Sequence, residues 1–402
     1  MVMEVTGFSH QVGGHFGMFC CNGHVCKPLN QREYLFYSSV DKTLFPYTAK
    51  FCGIGKLSIN FISSNDNEND TETTTNGKRY VDMKSDIILN CHTSHFEASD
   101  QMRFIIDDSN KNIFAVGKNS NSWANQCQSK AIQKLVDSRN DKQFIFLEDI
   151  VSIYKKPCVV DLKMGTRQYG DHATAEKKAS QTQKSESSTS GTLGVRIVGM
   201  QIWDRKEKKY YQVNKYEGRE MTEYHFLETI LHFFERAGQA RRKVLFEKLT
   251  GLKKVLLNAE GFRFYSSSIL IAFEGLDLDE KKEDKNDIDN LSVSLSMIDF
   301  AHSTFNGFRE EDITYTGYDE GYLLGVTYLI NILYGYIIGG TTLKELINNF
   351  KQINKERGIK RELSEQEKLI NSEDDEDEDE DEDIKFNNKN NNNSEDSFHI
   401  KI

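Results

Sequence analysis

The segment Pro157 to Gly165 constrains this chain more than any other: it reads P-C-V-V-D-L-K-M-G. Four small residues lead straight into Asp161 and Lys163, two positions apart. In an extended strand, residues i and i+2 point to the same side. The carboxylate and the ammonium therefore enter one pocket together. An anion and a cation held side by side, with a Gly just beyond, suit work on a hydroxyl and a phosphate. The Asp accepts a proton or a hydrogen bond, and the Lys stabilises a moving phosphoryl group. A bare D-x-K-x-G is more often a surface ion pair at a strand end. The full nine residues are far more specific.

Around this segment the chain reads as two unlike halves. Strand-like runs occupy Phe16–Lys27, Leu57–Ile62, Arg79–Val81, Arg103–Asp107, Asn112–Val116 and Phe144–Leu147. Helical patterns interrupt them at Gln31–Ser39 and Trp123–Ser138. In the second half, Asp171–Ser187 reads as a helix with Asp171 as its N-cap. Lys177 and Lys184 share one face of it, and Lys178 is rotated away by about 100°. Glu220–Leu245 and Gly251–Asn258 read as two further helices, with Arg236, Arg241, Arg242 and Lys243 as surface charge. Arg263–Phe273 and Leu291–Phe300 read as strands, the second ending in I-D-F. Tyr322–Ile338 is the longest apolar run. Its tyrosines and polar residues, with Asp319 and Glu320 ahead of it, suit a buried helix rather than a membrane span.

Charge needs care. The formal net charge is −11, but Glu373–Asp383 is an unbroken run of eleven acids. Without it the chain is formally neutral and can hold a basic pocket. Polar and acidic low-complexity stretches at 63–77, 279–289 and 371–402 lack the apolar area that offsets ordering entropy. They read as two flexible insertions and a disordered acidic, Asn-rich tail. The tail is a solvated segment or a docking site for a basic protein partner. Seven Cys in irregular spacing, with no apolar signal core in Met1–His10, fit reduced thiols in a cytoplasmic or nuclear protein. Cys20, Cys21, His24 and Cys26 crowd together as zinc ligands would, yet Asn22-Gly23 between them is a hairpin-turn dipeptide. A hairpin carrying small buried thiols is the better reading.

The motif P-x-x-x-D-x-K-x-G resembles the signature of the inositol polyphosphate kinases. G-T-R-Q-Y-G-D (Gly165–Asp171) and S-T-S-G-T-L-G-V-R-I-V-G-M-Q (Ser188–Gln201) resemble the inositol hexakisphosphate kinase branch. H-Q-V-G-G-H, V-C-K-P-L, K-Y-E-G-R, S-S-S-I-L and M-I-D-F-A-H-S-T follow in the family's order, spanning about residues 8 to 340. The resemblance implies an α+β, bilobal, protein-kinase-like fold. Its N-lobe, residues 1–147, is an antiparallel sheet. Its larger mixed C-lobe spans 148–370, and ATP lies in the cleft.

The resemblance also implies roles. Lys27 contacts ATP phosphates, and backbone groups of Glu148 and Ile150 hold adenine. Asp161 lies near the ribose and the reacting group, and Asp299 binds Mg²⁺. Lys163 contacts both the acceptor and the moving phosphoryl group. Arg167, Lys177, Lys184, Lys215, Arg219, Ser268 and His302 lie around the inositol phosphate. Tyr169 departs from the branch, which often has His there. The implied activity is transfer of the ATP γ-phosphoryl group to inositol hexakisphosphate. A multikinase acting on ring hydroxyls of lower inositol phosphates, and a non-catalytic inositol phosphate sensor, are the alternatives. No G-x-x-x-x-G-K-[ST], H-R-D or D-F-G run is present, which excludes P-loop kinases and disfavours protein kinases. Membrane and nucleic acid are not expected partners.

Overall fold

Alternating apolar residues give the first third of the chain a sheet with one dry face. The computed structural model describes residues 2–14, 17–63, 78–87, 103–107, 112–116, 122–137, 142–276, 292–310, 313–337 and 345. The insertions (apart from Ser63) and the tail expected from composition lie outside them. The described residues belong to one compact unit, Met1–Phe350.

Eight antiparallel strands form the first sheet: β1 (Val2–Gly7), β2 (Phe19–Cys21), β3 (His24–Pro28), β4 (Phe51–Ser63), β5 (Lys78–Ile87), β6 (Arg103–Asp107), β7 (Ile113–Val116) and β8 (Gln143–Glu148). Their order is β1-β2-β3-β8-β4-β5-β6-β7, and β1 also pairs with β5. β6 takes Lys78–Val81 of β5 and β1 takes Met83–Asp86. The first six strands in that order therefore close into a ring, which removes exposed edges. Phe19, Leu57, Phe104, Phe144 and Phe146 fill it, against Ile132 and Leu135 of helix α2 (Ser122–Asp137). Asn22 and Gly23 turn the β2–β3 hairpin with φ of 46° and 71°. That is the conformation expected of a two-residue hairpin turn. Helix α1 (Gln31–Ser39) follows β3 directly, and the Asn30 side chain caps its N-terminus.

The second sheet is also antiparallel, in the order β11-β10-β9-β12-β13. Its strands are β9 (Pro157–Met164), β10 (Val195–Asp204), β11 (Lys209–Val213), β12 (Ser268–Glu274) and β13 (Val293–Ile298). Helices α3 (Ala175–Glu186), α4 (Thr189–Leu193), α5 (Lys215–Glu220), α6 (Glu223–Leu257) and α7 (Glu320–Ile337) complete an α+β architecture. Phe226, Phe233 and Leu249 of α6 and Tyr322 and Leu329 of α7 share one core with the sheet. No described helix is long and apolar enough to cross a membrane.

The structure corrects four sequence expectations. The N-cap of α3 is Thr174, whose side chain accepts from the Lys177 amide, because Asp171 is already engaged by Arg167 and Tyr315. The two helices expected over Glu220–Asn258 are one element, broken at Gly238 (φ 77°) instead of between them. Arg241 is not surface charge: it is 2% exposed and donates to the Glu274 carbonyl at 3.0 Å. The strand expected from Arg263 starts only at Ser268, because Ser266 adopts a φ of 57°.

Candidate active site

Four residues at equivalent heights cross the second sheet. Ile298 of β13 lies opposite Ser268, Ser268 opposite Lys163, and Lys163 opposite Arg196. Residues opposite one another in a ladder share a face. Asp161, two residues before Lys163, shares that face too. Asp299 follows Ile298 directly, with a φ of 63°. A left-handed non-Gly residue is uncommon, and such positions cluster at functional sites.

A β-bulge shapes this face. The ladder slips between Ile197 and Gly199, so that Gly199 rather than Val198 stands opposite Asp161. A Cβ on Gly199 would lie 1.6 Å from the Val12 carbonyl oxygen. A Cβ on Gly13 would lie 2.0 Å from Asp161 Oδ2. The glycine-bearing loop after β1 thus sits on Asp161 only because both contact points lack side chains. Gly17 serves elsewhere: a Cβ there would strike the backbone of α2.

Lys27, from β3, is held by two carboxylates. Its Nζ lies 2.7 Å from Glu33 Oε1 and 2.7 Å from Asp299 Oδ1. Burial opposes its charge, but Asp299 and Glu33 outweigh that and hold the ammonium above its ordinary value. Glu33 is 2% exposed, and its Oε1 also accepts from the Phe300 amide at 3.3 Å. Burial pushes its pKa up against the pull of Lys27. Sequence reading missed Glu33. Its signal was the N-x-x-E spacing from Asn30, a helix-start pattern in which the Glu normally reaches back to the cap. Here it turns inward to Lys27.

Asp161 is 3% exposed, and its Oδ1 has no hydrogen-bond partner. Burial first, then the neighbouring Asp299, push its pKa up to about 6, while a hydrogen bond from Ser268 pulls it down. Lys163 donates to the Ser266 carbonyl at 2.7 Å. Burial lowers its pKa, opposed by Asp299. At the end of the first sheet, the Glu148 amide donates to Lys50 and the Ile150 carbonyl accepts from Ser294. That leaves the Glu148 carbonyl and the Ile150 amide, two residues apart, as the paired groups an adenine edge needs. Asp149 between them is buried, which pushes its carboxyl up to about 7.

The expected acceptor residues separate into groups. Arg167 is a brace. It donates to the Tyr169 carbonyl (3.1 Å), the Tyr265 hydroxyl (3.2 Å) and Asp171 (2.6 Å), and it stacks on both tyrosine rings. Three of its five N–H donors are thus engaged within its own surroundings, which leaves two for the expected phosphate contact. The stacking also explains Tyr169, whose ring packs on the guanidinium. Ser268 is 2% exposed and bonded to Asp161, so it supports the carboxylate instead of lining the pocket. Lys177 and Lys184 are half-buried on α3, which Ser185 ties to the loop after β9 by a 2.6 Å bond to the Thr166 carbonyl. His302 stands beside the same loop, where a Cβ on Gly170 would lie 3.4 Å from its Nδ1. Arg219 lies on α5, which presses on β10 so closely that a Cβ on Gly218 would meet the Ile197 carbonyl oxygen at 2.0 Å. Lys215, on the same helix, faces α2, where its charge partly offsets the effect of burial on Cys127.

Comparison with known proteins finds relatives over most of the chain. Residues 144–334 match the inositol polyphosphate kinase family. Inositol hexakisphosphate kinase 2 from Homo sapiens is 31% identical over 398 residues, covering 81% of this chain and 93% of its own length. The chain belongs to the inositol polyphosphate kinase family. Inositol hexakisphosphate kinase 3 from Homo sapiens is 30% identical, over 82% of this chain and 95% of that protein. Among solved structures, the inositol phosphate multikinase from S. cerevisiae in complex with ADP and Mn²⁺ is similar to 49% of this chain and 84% of that one, with 30% identity and a TM-score of 0.41. The matched residues 144–334 include β9 and Asp299.

Sequence reading also missed Arg196. Its signal was a lone charge inside the apolar strand V-R-I-V-G-M, since charged residues are seldom buried without a partner.

Proposed function

We propose that this inositol polyphosphate kinase transfers the γ-phosphoryl group of ATP to a phosphate of inositol hexakisphosphate, forming a diphosphoinositol pentakisphosphate. One observation carries the kinase reading: Lys27 of β3, Glu33 of α1, Asp161 and Lys163 of β9, and Asp299 after β13 meet in one charged cluster. The acceptor is supported by relatives named for hexakisphosphate that match most of the chain.

Glu148 and Ile150 offer adenine an acceptor and a donor. Lys27, fixed by Glu33, reaches the ATP phosphates. Asp299, with Asp161 near it, would hold a divalent cation, Mg²⁺ in this reading. The buried Oδ1 of Asp161 lacks a partner, and the two carboxylates are near enough for Asp299 to raise the Asp161 pKa. One or two carboxylates plus substrate phosphates is the usual setting of Mg²⁺. When bound there, it neutralises charge on the phosphates. Lys163 sits between the nucleotide side and the acceptor side. An acceptor phosphate is already ionised near neutral pH, so no strong general base is required. Catalysis is positioning and charge neutralisation. Asp161 orients groups more than it takes a proton. A silent sensor would have no use for the intact set of Lys27, Asp161, Lys163 and Asp299.

The test is an acceptor panel. Purified protein with ATP and Mg²⁺ is given inositol tris-, pentakis- and hexakisphosphate, and products are resolved by anion exchange. Preference for hexakisphosphate, with a more anionic and acid-labile product, supports the reading. Preference for trisphosphate with no diphosphate product overturns it in favour of the multikinase.

A further inference from the structure

Arg196 is 9% exposed, and its buried Nε has no hydrogen-bond partner. Neither an ion pair nor a hydrogen bond joins its side chain to any described residue. Its nearest charged influences are Arg219, which repels it, and Asp161, which attracts it. Lys163 stands directly opposite it on β9 and is repelled by it in turn. Arg219 repeats the pattern, since its buried Nε is also without a partner. Three cations thus meet at the β9–β10–α5 corner, where Asp161 attracts Arg196 and both Asp299 and Asp161 attract Lys163.

A buried, unpaired guanidinium is costly, because desolvation is not returned by a partner. The neighbouring Arg219 guanidinium and Lys163 ammonium add repulsion. An anion bound at this corner would offset both costs. Arg is suited to this, with planar paired donors that match phosphate oxygens.

Position says which anion. Along the row Ile298–Ser268–Lys163–Arg196, the nucleotide-side Asp299 lies beyond β13 and Arg196 lies on β10. Strands are spaced about 4.8 Å apart, so β13 and β10 are separated by three steps, or about 14 Å. Lys163 is between them. We infer that Arg196, with Arg219 beside it, binds the acceptor phosphate on the side of Lys163 away from the nucleotide, and so helps select an acceptor whose reacting group is a phosphate. This rests on the kinase reading above and adds a residue that determines its acceptor.

Arg196→Met and Arg196→Lys test it in the full chain. For Arg196→Met, the KM for inositol hexakisphosphate should rise at least tenfold while the KM for ATP stays within twofold. Arg196→Lys should recover part of the loss. Calorimetric binding of hexakisphosphate without nucleotide should weaken by a similar factor. Thermal melting adds a readout that a merely structural role would not give. Without ligand, Arg196→Met should melt at or above the wild type, because an unpaired buried charge is removed. Its hexakisphosphate-induced rise in melting temperature should shrink. An altered KM for ATP with an unchanged acceptor KM would place Arg196 on the nucleotide and overturn the inference. So would a lower melting point with the ligand-induced rise intact. If wild type instead prefers a lower inositol phosphate, the hexakisphosphate reading fails by itself. The same variants, read with that acceptor, still decide the role of Arg196.

Discussion

Glu33→Gln isolates one charge at the centre of the site. Glu33 Oε1 alone receives both the Lys27 ammonium, at 2.7 Å, and the Phe300 amide, at 3.3 Å. Glutamine keeps one oxygen in that position, so both bonds can persist and only the charge is lost. A charge-assisted bond contributes about 1.5–3 kcal/mol and a neutral one about 1 kcal/mol, so the difference is about 0.5–2 kcal/mol. At about 1.4 kcal/mol per tenfold, kcat/KM for ATP should fall by about 2- to 30-fold. Lys27 retains Asp299, and with Glu33 neutral it should draw that carboxylate more strongly and hold it less freely for a cation. The apparent Mg²⁺ requirement should therefore rise as well. Glu33→Ala removes both bonds and unties α1 from the end of β13. It should lose more than 100-fold and also lower the melting temperature, by the loss of about 3 kcal/mol or more that follows removal of one partner from a buried pair. Steady-state kinetics with varied ATP and Mg²⁺, beside thermal melts, reads all of this. Wild-type kcat/KM in Glu33→Gln would refute the claim that the Glu33 charge positions Lys27.

Other outcomes follow from the same geometry. Lys163→Ala and Asp299→Ala should each lower turnover by about 10²–10³ while the fold survives, as positioned electrostatic groups do; near wild-type rates at saturating ATP and Mg²⁺ would remove them from the centre. Asp161 has its folded pKa raised to about 6, above the unfolded carboxylate value near 3.9. Its ionisation therefore costs the ligand-free fold stability as pH rises from about 4 through 6, by about 2–3 kcal/mol. Asp161→Asn should melt higher than wild type at pH 7 without ligand. That gap should close as pH falls toward 4, and a constant gap in melts across pH would contradict the assignment.

Much of the site could be read from the sequence, because its residues sit in short local patterns. Asp161 and Lys163 share a face through the period of a strand. Lys27 lies in a hairpin whose Asn22-Gly23 turn is plain in the sequence, and Asp299 ends an apolar run. What could not be read depends on distant pairing. Arg196 becomes interesting only once β10 is registered against β9, and the bulge at Val198 leaves no mark in composition. Glu33 read as part of a helix start because its partner Lys27 is on another element. The bracing of Arg167 was hidden because nothing local shows Tyr265 or Tyr315 folding back onto its loop. Arg241 looked exposed because its helix is charged on both sides, while Phe273 and the Glu274 carbonyl come from a strand some thirty residues on. Local rules located the chemistry, and ladder register decided which charges are spent on the fold and which face the pocket.

The most direct test of the account is phosphorus NMR of the product made from inositol hexakisphosphate, ATP and Mg²⁺ by the purified full-length chain. The account predicts a pair of coupled diphosphate resonances on an otherwise hexakisphosphate ring, with ADP formed in equal amount. ATP consumption without a phosphorus–oxygen–phosphorus bond on the ring, or phosphorylation confined to free hydroxyls of lower inositol phosphates, would contradict it.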